Sequence, residues 1–177
     1  YDIHYTPVCT EELSRAVCDA CAEIGASASG EWGIDHGAWS VLKFLYPEAD
    51  IPVAQLSLDM GKDPQFHLDA GRMLSPLSEK GILVLCSGNI VHNLRALSFD
   101  QYDSAVYDWA QKFDSAVAAD LSERKFDRLA DPRGSYDDLY LQSHPTADHY
   151  YPLLYAAGAA QDRQCRFVYE GFQHGSI

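Results

Sequence analysis

Long apolar runs are missing from this sequence, so no segment reads as a membrane span. A basic start followed by an apolar stretch is missing too, which argues against a secretory signal. Basic residues are scarce: 13 Lys and Arg stand against 26 Asp and Glu, for a formal net charge of -13. A nucleic-acid partner needs clustered cations, so this balance excludes that class. No G-x-G-x-x-G, P-loop or G-x-S-x-G occurs, which removes the usual phosphate cradles and the serine-hydrolase nucleophile turn. Internal repeats and low-complexity tracts are also lacking. The five cysteines are an odd number without a dense framework, which suggests reduced thiols and a cytoplasmic protein. Cys18 and Cys21 form a lone C-x-x-C with no second pair for zinc, and both fall inside a helical pattern where packing is the simpler role.

What is present suits one α/β domain spanning 1-177. The chain has 177 residues, 47% apolar and 22% charged, enough for a single core. It begins at Tyr1 rather than Met and stops right after an apparent strand, so it reads as cut from something longer. Thr10 is expected to cap a helix carrying Leu13, Ala16, Val17, Ala20, Cys21 and Ile24 at helical spacing, ended by Gly25. A short helix follows Asp35-His36-Gly37 and stops before Pro47. Residues 51-58 read as a strand, 64-79 as a helix, and 82-86 as a strand buried on both faces. Tyr102, Val106, Trp109, Phe113 and Val117 space a longer helix. Residues 122-143 read as a short helix with loops. Thr146 is expected to cap a helix through Leu153 to Ala160, and 165-169 to form a last strand. This alternation predicts a mostly parallel central sheet with helices on both faces, incomplete in this chain if it is cut from something longer.

Seven histidines carry the candidate chemistry, since imidazole is both a common metal ligand and an acid-base group near neutral pH. His92 lies a few residues past the 82-86 run, where ligands of open α/β sheets bind. Its simpler reading is a solvated histidine at a helix start. His36 sits between Asp35, which could fix its tautomer, and Gly37. Its simpler reading is a loop histidine packed on Trp32 or Trp39. His144 and His149 are five apart, so they are not a one-face chelating pair. His149, in the expected first helical turn, is the better candidate, with His144 packing or capping. His67 reads as a half-buried surface residue. Arg95 could meet a substrate carboxylate, although a surface ion pair is its commoner role.

Four motifs in one order carry a more specific signal. They are Trp32 to Trp39 (WGIDHGAW), Tyr46-Pro47 with Ile51 to Ser57 (IPVAQLS), Ser87 to Leu94 (SGNIVHNL), and His144 to Leu153 (HPTADHYYPL). Together these resemble the 4,5-DOPA dioxygenase branch of the class III extradiol ring-cleavage family, over what would be the C-terminal two-thirds of its catalytic domain. The resemblance implies an oxidoreductase that opens an L-DOPA-like catechol with O2 at non-haem Fe(II). Zn(II) is a possible occupant of the same ligands in purified protein. It implies His92 and His149 as metal ligands, with His92 alternatively the acid-base group. It implies His36 as a catalytic, substrate-contacting or supporting histidine. The family's two further ligands, in a His-Gly-Ser-Pro loop and a Ser-Ala-His-Trp stretch, have no match in this sequence. A missing N-terminal segment of the same protein would supply them. The alternative is a truncated non-catalytic or partner-dependent relative that binds metal or aromatic ligand without turnover.

Overall fold

A computed structural model describes residues 4-99 and 106-177. Eight α-helices are described: α1 Glu11–Ala20, α2 His36–Leu45, α3 Pro64–Leu74, α4 Asp108–Ser122, α5 Phe126–Leu129, α6 Pro132–Tyr136, α7 Asp138–Ser143 and α8 Tyr151–Ala160. The first three start where local chemistry dictates. Thr10, Asp35 and Asp63 each turn a side-chain oxygen onto a backbone N–H of the first turn, and Pro64 follows its cap where no N–H is needed. Gly25 and Gly81, both with positive φ, end the short 3-10 turns that follow α1 and α3. Tyr102, expected in the helix observed as α4, lies outside the described residues.

The α3–α8 pair is the spine. Gly71 and Gly158 let the two helices touch backbone to backbone: a Cβ on Gly71 would lie 2.5 Å from the Tyr155 carbonyl oxygen. Each helix serves two cores. Leu68 and Leu154 join Phe113, Val117, Leu129, Tyr136, Tyr140 and Tyr150 on one side. Ala70, Leu74, Tyr155 and Ala159 join Cys21 and Leu77 on the other, with α1 and the extended residues Leu56, Leu58, Ile82, Val84 and Cys86 packed against them. A buried carboxylate fixes the α4–α6 corner. Asp120 accepts from Arg128 Nε at 2.9 Å and from the Tyr136 hydroxyl at 2.7 Å, so its charge is paired. Burial pushes the Cys21 thiol up, and Cys86 to about 11, which leaves both as packing groups.

The expected parallel sheet is not there: among the described residues no strand forms. Residues 51-58, 82-86 and 165-169 are not helical, but they carry no ladder of hydrogen bonds. A strand is defined by a neighbour, and no backbone partner is found for 54-58 or 83-88 among the described residues. The apolar pattern is nonetheless two-faced. Ile82, Val84 and Cys86 face the second core, whereas Leu83 and Leu85 stand 68% and 44% exposed. Three smaller expectations also change. Residues 122-143 form three short helices (α5 to α7) rather than one. Thr146 caps nothing, because α8 starts only at Tyr151. His67 is fully buried, stacked on Tyr151 at 3.9 Å between ring centroids and joined through Nδ1 to the Tyr155 hydroxyl.

Two buried histidines set a pH dependence. Desolvation lowers the value for His67, against the opposing pull of Asp59 and Asp63, and it lowers His144 to about 4. Both are therefore neutral in the folded chain and protonate more readily once unfolded. The stability they contribute is intact above the unfolded value near 6.5 and is lost as pH falls toward the folded value. His144 alone accounts for about 3 kcal/mol between pH 7 and pH 4. Urea unfolding at several pH values should show this fall, and a flat profile over that window contradicts it.

Candidate functional site

Two segments meet to form the site: the turn 87-93 after the second extended run, and 142-150, which runs from the end of α7 to the start of α8. Four hydrogen bonds lace them together. Asn89 N donates to the His149 carbonyl at 3.2 Å, and His92 N donates to that of Ser143 at 3.0 Å. Asn93 Nδ2 donates to the Gln142 carbonyl at 2.6 Å, and His144 Nε2 lies 2.7 Å from that of Ile90. The C-terminal turn secures Asn93 from a further direction, since Ser176 Oγ donates to its carbonyl and its own N–H donates to Ser176 O.

This lacing brings His92 and His149 face to face. Their rings stack with centroids 3.4 Å apart and planes 13° apart, and both are half-buried. Burial first, and the His149 ring second, hold His92 below the ordinary imidazole value, while Asp148 opposes them. His92 is thus neutral at physiological pH, with a nitrogen lone pair for a proton or a metal. Asp148, which sequence reasoning passed over, places Oδ2 3.6 Å from His149 Nε2. The Thr146 hydroxyl beside Asp148 holds its carboxyl below the usual carboxylate range, so it stays anionic next to His149. The motif spacing gave no hint of this, because Asp148 shares a polar turn with several exposed residues.

Close packing requires a glycine at Gly88. A Cβ there would lie 2.5 Å from the His149 carbonyl oxygen and 3.2 Å from Pro152 Cγ. The close approach of the two segments therefore requires glycine.

His36 occupies the first position of α2. The expected pairing with Asp35 is not made: Asp35 Oδ1 instead accepts from Ala38 N at 2.9 Å as the helix cap. The His36 ring is exposed and packs edge-on against Trp39, with centroids 5.0 Å apart. The start of α2 does reach the site turn, since a Cβ on Gly37 would lie 3.6 Å from Ser87 Oγ. No hydrogen bond, ion pair or ring contact joins His36 to either stacked imidazole. Arg95 is exposed, and the surface ion pair expected of it is not formed among the described residues. A cleft of about 340 Å³ lined by Arg133, Tyr140, His144 and Tyr151 shares His144 with this region but includes neither His92 nor His149.

Imidazole nitrogens suit Fe(II) or Zn(II) in kind. They do not suffice in number: no group of three or more His, Cys, Asp or Glu among the described residues could hold a metal. The described residues therefore do not make a complete metal shell. No helix among them is long and apolar enough to cross a membrane.

Residues 2–177 match the family described as the catalytic LigB subunit of aromatic ring-opening dioxygenase. The chain is 37% identical over 185 residues to a 4,5-DOPA dioxygenase extradiol of Escherichia coli (strain K12), covering 100% of this chain and 66% of that protein. It is 31% identical to a 4,5-DOPA dioxygenase extradiol of Beta vulgaris, covering 99% of this chain and 66% of the relative. The chain thus spans just under two-thirds of the length of these curated relatives. Among solved structures, it is similar to that of uncharacterized protein JW3007 from Escherichia coli K12. The TM-score is 0.87 and the identity 36%, over 100% of this chain and 73% of that one.

Proposed function

Since this chain belongs to the LigB family of aromatic ring-opening dioxygenases, we propose that it opens the ring of an L-DOPA-like catechol with O2 at a non-haem Fe(II) centre. The observation that carries the reading is the stacked pair His92 and His149, held between two laced segments that both belong to matched motifs. In this reaction a ring C–C bond beside the two hydroxyls breaks. Both atoms of O2 enter the product as a carboxylate and an aldehyde, and the ring supplies the electrons that O2 takes up. We read 1-177 as part of one catalytic domain.

The chain's own residues serve proton handling and binding in this proposal. Neutral His92 takes the proton that a catechol hydroxyl must lose. His149, beside the anionic Asp148, is the second imidazole of the centre. His36, exposed at the start of α2, contacts the substrate from the side of Ser87. Arg95, exposed on the surface, meets a substrate carboxylate. His149 would supply an imidazole to the metal, either Fe(II) or, without redox capacity, Zn(II), and His92 would supply a second only in place of its acid-base role, because its single lone pair serves one of the two. The remaining donors come from outside this set. The incomplete donor set favours a second reading, a partner-dependent relative that binds metal or an aromatic ligand without turnover.

The gene product, loaded anaerobically with Fe(II) and given a catechol and then air, separates the two. O2 consumption with a yellow ring-opened product is expected. Binding of the catechol with no O2 consumption leaves only the second reading.

A further inference from the structure

His144 is an odd choice for a packed position. It is 3% exposed, boxed in by Phe113, Tyr140 and Tyr150, with ring centroids 5.2 to 5.7 Å away. Its Nε2 lies 2.7 Å from the Ile90 carbonyl oxygen. A carbonyl only accepts, so Nε2 carries the hydrogen and Nδ1 carries the lone pair. That Nδ1 is buried and has no hydrogen-bond partner. A phenylalanine would fill the same box without leaving a buried acceptor unsatisfied. The imidazole therefore brings an unfavourable group into the core, and what it gains there is the bond to Ile90.

The place of that bond gives it meaning. Ile90 is two residues before His92, and His144 opens the turn that ends at His149. The two main-chain bonds between these segments, from Asn89 N and His92 N, need no particular side chain. His144 and Asn93 are the side chains that donate a hydrogen bond from one segment to the other. Three aromatic rings hold the imidazole, so its donor cannot swing away.

We propose that His144 is a positioning residue: its Nε2–H, locked in an aromatic box, clamps the turn carrying His92 to the turn carrying His149. It touches neither substrate nor reacting atoms. The proposal rests on the dioxygenase reading only for its effect on turnover.

The test uses residue-resolved amide hydrogen exchange in three variants. His144→Phe keeps the ring and loses the donor. His144→Gln keeps a donor at similar reach, and His144→Asn has one that is too short. The His92 and Asn89 amides should exchange at least about tenfold faster in His144→Phe and His144→Asn than in the wild type. His144→Gln should stay near the wild-type rate, and the Leu74 amide in α3 should be unchanged throughout. If His144→Phe does not fold, the contrast between the Gln and Asn variants decides. Equal exchange at His92 in those two, or wild-type exchange in His144→Phe, overturns the clamp. In the turnover assay, kcat should fall about 10- to 100-fold in His144→Phe with KM little changed, and His144→Gln should recover much of it. If the variants show the exchange contrast but the wild type turns over no catechol, the clamp stands and the dioxygenase reading falls.

Discussion

Replacing His92 or His149 with alanine is expected to lower ring-opening turnover by a factor on the order of 10²–10⁴, the range a positioned acid-base group supplies. The rings lie 3.4 Å apart, so neither acts alone. Removing His149 removes the group that, after burial, holds His92 below its ordinary value, and leaves Asp148 to push that value back up. His92 then carries a proton at a higher pH, and any residual activity of His149→Ala should shift its acid limb upward. Because the two work as a unit, the double variant should be little worse than either single one. The check is initial O2 consumption across pH for all three variants, with circular dichroism to show that they fold. A single variant that keeps wild-type turnover would remove that histidine from the reaction, and losses that multiply in the double variant would separate the pair.

Gly88→Ala should be nearly as damaging from outside the chemistry. The new methyl would sit 2.5 Å from a backbone oxygen, that of His149, which has no rotamer to yield with. One of the two segments must move, and the bond from Asn89 N to the same oxygen is strained with it. Overpacking of this kind costs about 1–3 kcal/mol. A displacement of about 1 Å between reacting groups costs roughly a hundredfold in rate. Stability should therefore fall modestly and turnover severely. Gly30→Ala is the control, since nothing lies within 4 Å of its Cβ position, and it should change stability by no more than about 0.5 kcal/mol. Wild-type turnover in Gly88→Ala would mean that the close approach does not matter to the site.

The helices were readable because their causes are local. Thr10, Asp35 and Asp63 lie next to the N–H groups they cap, and the apolar stripe of α3 spells out its buried face. The His92 and His149 motifs were readable as a pattern of types and order. The stacking of the two rings was not, because it depends on four hydrogen bonds between segments some fifty residues apart in sequence. The sheet expectation failed for a related reason. Ile82 to Cys86 has a strand's composition, yet a strand needs a neighbour to exchange bonds with, and no local rule can name one. His67 misled because polarity suggests exposure, whereas its aromatic neighbours Tyr151 and Tyr155 bury it. Asp35 shows competition within one residue: the carboxylate that could have oriented His36 caps α2 instead.

Isotope-labelled dioxygen tests the central claim most directly. The Fe(II)-loaded gene product would be supplied with a catechol and 18O2, and the ring-opened product reduced at once with borohydride, before its aldehyde oxygen exchanges with water, and weighed by mass spectrometry. The account predicts that both labelled atoms appear in one product molecule, and that neither His92→Ala nor His149→Ala forms it at a comparable rate. A product carrying no label, or only one labelled atom, would contradict it.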